Sequence, residues 1–117
     1  MASKDTFAID TLLDDEVVRE VVGRTLIAGG FDLKWREWTR VRANLSGKIL
    51  VLEISIARLP NGETRLVVAG QQVGLRARVR VKKMRRVISA LRDDLERVLA
   101  AEAFLRGLVT EKDLTTD

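Results

Sequence analysis

Apolar residues recur along the chain with two different periods, and the changes of period divide it into elements. Leu13, Val17 and Val21, with Val18, Val22 and Leu26 beside them, repeat at helical spacing, which predicts a helix with one buried face. Asp10, Asp14, Asp15 and Glu16 crowd its start, where negative charge meets the positive end of the helix dipole, and Gly29-Gly30 ends it. Met1 to Thr6 is polar and expected to be loose, with Phe7 and Ile9 leading into a sheet edge or packing over the helix. After the glycines the period drops to two. From Leu33 to Leu45 the odd positions are Leu33, Trp35, Glu37, Thr39, Val41, Ala43 and Leu45, and the even positions are Lys34, Arg36, Trp38, Arg40, Arg42 and Asn44. This reads as a strand with one mostly apolar face and one basic face carrying a Trp. A β-bulge before Val41 would exchange the places of Trp35 and Trp38.

Ser46-Gly47 supplies a turn into Lys48 to Leu59, where Leu50, Leu52, Ile54 and Ile56 form one face of a second strand. Pro60-Asn61-Gly62 is a reverse-turn signal, so Glu63 to Ala69 is expected to return as a third antiparallel strand, after which Gly70-Gln71-Gln72 turns the chain again. In Val73 to Val81 the apolar positions Val73, Leu75, Ala77, Val79 and Val81 alternate with Arg76, Arg78 and Arg80, predicting a fourth strand with arginines along one face. Lys82 to Arg86 leads into a long helix with a stripe of Met84, Val87, Ile88, Leu91, Leu95, Val98, Leu99 and Leu105, and Gly107 ends or loosens it. The expected fold is α+β: an N-terminal helix, a four-stranded antiparallel meander and a long C-terminal helix, both helices packed on one face of the sheet. Residues 1–117 make one domain, with 1–7 and 110–117 expected to be flexible.

Composition narrows the chemistry more than it changes this picture. There is no Cys, His or Tyr, which removes thiolate nucleophiles, imidazole bases, phenolic acids and the usual transition-metal ligands. Adjacent acids such as Asp14/Asp15 and Asp93/Asp94 point in different directions around a helix and suit solvent better than acid/base work. The expectation is a protein that is not an enzyme and needs neither metal nor cofactor. No apolar run reaches the roughly 18 to 20 residues that span a bilayer, and the first residues have no signal-peptide core, so the expected setting is cytoplasmic and nucleoid-associated, with no membrane partner.

Charge is partitioned along the chain. Residues 1–33 carry three bases against seven acids, a balance of −4; residues 34–92 carry fifteen against three, +12; residues 93–117 again carry three against seven, −4. A basic centre between acidic flanks fits a polyanion-binding surface. On the expected sheet, Lys34, Arg36, Arg40, Arg42, Arg76, Arg78 and Arg80, with Arg58 and Arg65 beside them, stand on or near the open face. Repulsion among cations packed this densely is relieved when an anionic backbone enters and its counterions leave. Trp38, among them by parity, offers a ring on which an unpaired base stacks.

The run from Lys34 to Val98, with its basic and aromatic strand, the Ser46-Gly47-Lys48 turn, an apolar strand, the Pro60-Asn61-Gly62 turn, two further strands and a long helix, resembles the sheet-plus-helix single-stranded-DNA-binding modules of the Whirly and PUR kind. With the N-terminal helix and the Arg-rich composition, the chain resembles still more the archaeal ThermoDBP and ThermoDBP-related proteins over roughly Leu12 to Leu108. The resemblance is architectural, without a diagnostic motif. It implies a non-enzymatic, largely sequence-independent single-stranded-DNA-binding protein that forms oligomers. Two alternatives stay open: an RNA or double-stranded-DNA binder of chromatin or ribonucleoprotein type using the same arginines on phosphates, and a module whose basic face docks an acidic protein. The breadth of the last helix's apolar surface points either to its being covered by the N-terminal helix within one chain or to a homodimer or dimer of dimers through Leu99, Phe104, Leu105 and Leu108.

Overall fold

Strict alternation in Leu50, Leu52, Ile54 and Ile56 produces a strand buried along one side, and this strand, β4 (Leu50–Arg58), is the middle of the sheet. The computed structural model describes residues 4–45, 50–72 and 81–109. Their order is β1 (Lys4–Thr11), α1 (Asp15–Ala28), β2 (Phe31–Glu37), β3 (Arg40–Leu45), β4, β5 (Thr64–Gln72) and α2 (Val81–Leu105). The five strands form one antiparallel sheet in the order β1-β5-β4-β3-β2. The α+β class and both helices agree with expectation, and the strands differ from it in four places.

First, the chain begins with a strand. Lys4–Thr11 pairs along its whole length with β5, from Lys4 opposite Gln71 to Thr11 opposite Thr64, so residues 4–7, expected to be loose, are part of the sheet. Second, Leu33 to Leu45 is a hairpin rather than one strand: the chain reverses at Trp38-Thr39 and Trp35 faces Val41 across the pair. Third, Gly70-Gln71-Gln72 continues β5 instead of turning it. Fourth, Val81 is the first residue of α2, and the rest of the expected fourth strand, residues 73–80, lies outside the described residues, as does the Ser46-Gly47 turn.

Among the described residues both helices pack on one side of the sheet. Val18, Val21, Val22 and Leu26 of α1 and Met84, Ile88, Leu91, Leu95, Leu99 and Ala103 of α2 close over Leu52, Ile54, Leu66, Val68 and Val41. Gly70 marks the close approach of α2: a Cβ there would run into the Ile88 side chain and come within 3.3 Å of a Leu52 methyl carbon. The crossing from β1 into α1 is fixed by Thr64, fully buried, whose hydroxyl donates to the Leu13 carbonyl at 2.7 Å. A buried hydroxyl bonded in this way contributes roughly 0.5–1.5 kcal/mol, and leaving it unpaired would cost more. Asp14 caps α1 only by position; its carboxylate instead accepts from Arg58 at 3.0 Å. At the same end of β4, Gly62, with φ +89°, completes the Pro60-Asn61-Gly62 turn, and Leu59 N–H donates to Glu63 C=O at 2.8 Å.

Candidate nucleic-acid interface

Because both helices pack on one side, the other side of the sheet has no covering element among the described residues. Lys34 and Arg36 on β2, Arg40 and Arg42 on β3 and Arg65 on β5 are exposed there, as the alternation requires. The even-odd pattern survives the hairpin because Trp35 and Val41, odd residues, are directly opposite one another. A register shift between Trp35 and Glu37 leaves Arg36 without an opposite residue, so Arg36 and Glu37 share the space beside Arg40.

The cations are interleaved with acids. Arg42 donates to Glu53 at 2.7 Å across the β3–β4 pair, and Arg65 holds Asp10 with two hydrogen bonds, 2.8 and 3.0 Å, across β5–β1. Hydrogen bonding from Arg65 holds the Asp10 carboxyl below its ordinary range; the guanidinium charge acts in the same sense and partial loss of solvent opposes it. Glu37 is opposite Arg40 in the register without an ion pair between them. Lys34, Arg36 and Arg40 make no ion pair among the described residues, and they cluster at the β2–β3 hairpin. Beside Arg40 lies a shallow depression of about 320 Å³, also lined by Glu53, Ser55, Val67 and Ala69.

Two expected members stand elsewhere. Arg58 has the parity of the buried residues of β4 and reaches the start of α1, where Asp14 takes its charge, so it does not belong to the open face. Trp38 does not project from a strand among the arginines; it occupies the hairpin turn, 46% exposed. There Arg19 of α1 donates from Nε to the Trp38 carbonyl at 3.0 Å, with its guanidinium carbon 4.0 Å from the Trp35 ring centre and 5.5 Å from that of Trp38. Trp35 is half-buried on the helix side, as its parity requires. Arg19 was not singled out by sequence. The available signal was its position one helical turn before Gly23, on the flank of α1 that meets Leu33 and Trp35. Arg76, Arg78 and Arg80 lie outside the described residues.

The expected interface residues divide. Leu99 is 2% exposed and packed in the core, so it is unable to meet a partner, whereas Phe104, Leu105 and Leu108 are exposed at 40%, 76% and 44%. Burial of Leu99 follows from the stripe it shares with Leu91 and Leu95, four residues apart along α2. No group of three or more carboxylates suited to a metal ion occurs among the described residues, and no helix there is long and apolar enough to cross a membrane. No protein-family model matches the chain, and no curated protein matches it.

Proposed function

We propose that the chain binds single-stranded nucleic acid, DNA in the first place, without base specificity and without catalysing a reaction. The observation that carries this is the cluster of Lys34, Arg36 and Arg40 on the side of the sheet away from the helices, exposed and without ion partners among the described residues, with Arg42 adjacent. Exposed cations that make no ion pair among the described residues are free to exchange small counterions for phosphates, and each exchange releases ions to the solvent. Bases reach the small-residue depression beside Arg40, and the exposed Trp38 adds a ring at the end of the hairpin.

A second reading has a specific observation in its favour. Arg19 already lies over both Trp rings, so one face of Trp38 is engaged within the chain. A protein that grips phosphates without stacking would favour duplex DNA or folded RNA as much as a single strand.

One titration separates the readings. Labelled single strands and duplexes of equal length are bound at several salt concentrations by the natural chain, by a Lys34/Arg36/Arg40/Arg42→Ala variant and by Trp38→Ala. The quadruple variant is expected to bind more weakly and to lose about 0.7 units of log–log salt slope per phosphate contact removed on a single strand. Trp38→Ala is expected to cost about 1–3 kcal/mol on single strands alone if the ring stacks. An unchanged slope in the quadruple variant rejects the proposed face. Equal losses on duplex and single strand select the second reading.

A further inference from the structure

The outer side of β2 is a free sheet edge among the described residues, and its side chains are self-complementary. We propose that two copies of the chain pair through this edge, β2 against β2, antiparallel about a twofold axis at Leu33. This concerns the isolated protein and does not rest on the nucleic-acid reading.

The register follows from charge. Residues directly opposite in an antiparallel pair share a face, so an axis through a residue keeps the helix layers of both copies on one side of a continuous sheet. An axis at Asp32 would set that carboxylate against its own copy, and an axis at Lys34 would do the same with an ammonium. With the axis at Leu33, Asp32 of each copy faces Lys34 of the other, giving two opposite-charge pairs on the open side. On the helix side the half-buried Leu33 meets Leu33 of the other copy, while Phe31 stays buried within its own chain.

Within one chain the same two charges are left over. Neither Asp32 nor Lys34 makes an ion pair among the described residues, and the neighbour of Lys34 across β3 is Arg42, a like charge. A Lys in the centre of an edge strand ordinarily discourages pairing by repelling a second strand. Here a carboxylate two residues earlier removes that protection for one partner only, another copy in this register. The flank of α1 adds apolar surface: Gly23 lies against Leu33 and Trp35, and Ile27, one turn further along, is 64% exposed. A twofold interface of this kind uses the same patch from both copies and closes on itself. Its consequence is that the two β2–β3 hairpins, with Arg36, Arg40 and Arg42, adjoin on one side of the joined sheet.

Sedimentation equilibrium of the full chain without nucleic acid tests this. The natural chain is expected to dimerise reversibly. Asp32→Lys and Lys34→Asp each turn both cross-copy pairs into like-charge pairs, and each is expected to weaken dimerisation by about tenfold or more. The double variant exchanges the charges and is expected to recover the natural affinity, with melting temperatures of all variants close together. A chain monomeric at every concentration, single variants that dimerise unchanged, or a double variant as weak as the singles would overturn the proposal. So would a dimer indifferent to these changes but dissociated by Leu105→Glu, which would place the interface at the end of α2.

Discussion

On β4, Leu52, Ile54 and Ile56 are closed beneath the helices, while Glu53, Ser55 and Ala57, each one residue away, look out from the opposite side. The covered side leaves few polar groups to satisfy: Thr64 is its buried hydroxyl among the described residues, and Leu13 accepts from it. The open side holds charges in mixed states, some paired as in Arg42–Glu53 and Arg65–Asp10, others at the hairpin without an ion pair among the described residues. Alternate residues of one strand therefore answer to different constraints. A change on the covered side registers in stability through packing, and a change on the open side registers in binding or association through charge.

The sharpest separation is expected at neighbouring residues of β5. Leu66 is fully buried, and Leu66→Ala should destabilise the chain by about 2–5 kcal/mol, the usual range for a core Leu that leaves a cavity. Val67, next to it and only half-buried on the open side, should tolerate Ala with a loss well below that. Urea denaturation of the two variants measures the contrast, and equal losses would mean that the open side is covered in solution.

A smaller effect is expected at Gly70, where the contrast is between adding and removing volume. Its Cβ space is taken by Ile88, with Leu52 at 3.3 Å, so Gly70→Ala forces a fully packed Ile to shift and should cost about 1–3 kcal/mol. An Ala already stands at position 69 on the open side, where no helix approaches among the described residues. If Gly70→Ala were neutral or stabilising, the seat of α2 on β5 would be looser than the contact implies.

The covered side was also the more legible in sequence. Leu50, Leu52, Ile54 and Ile56, and the Ile88, Leu91, Leu95, Leu99 stripe, are long and periodic enough to be read without tertiary information, and they are buried as read. The N-terminal strand was not, because Lys4–Thr11 carries only Phe7 and Ile9 as large apolar residues and its partner, Gln71 for Lys4, is far along the chain. The Trp38-Thr39 reversal was hidden for a different reason. Trp35 and Val41 are both odd and lie opposite each other, so odd and even faces continue through the turn, and no Gly, Pro, Asn or Asp marks it. That symmetry is why Lys34, Arg36, Arg40 and Arg42 were placed on the open side although the strand carrying them was two strands. Trp38 and Arg58 were misplaced because a turn and a long side chain reaching α1 depend on neighbours that alternation does not encode.

The smallest expected effect contrasts the two edges of the sheet. At the β1 edge Asp10 is held by Arg65, while at the β2 edge Asp32 has no such partner among the described residues. Arg65 lowers the Asp10 pKa in the folded chain, chiefly by hydrogen bonding, so the contact stabilises the fold fully above the ordinary carboxylate pKa and is lost as the pH falls through the lower folded value. Both side chains are more than a third exposed, at 46% and 37%, so solvent screens the pair and the contribution is small. Asp10→Asn should therefore be slightly less stable than the natural chain at neutral pH, and the difference should close on acidification. Urea midpoints measured from neutral to acid pH, at low protein concentration, compare the two. A difference for Asp10→Asn that persisted or grew toward acid pH would show that Asp10 acts there by something other than its charge.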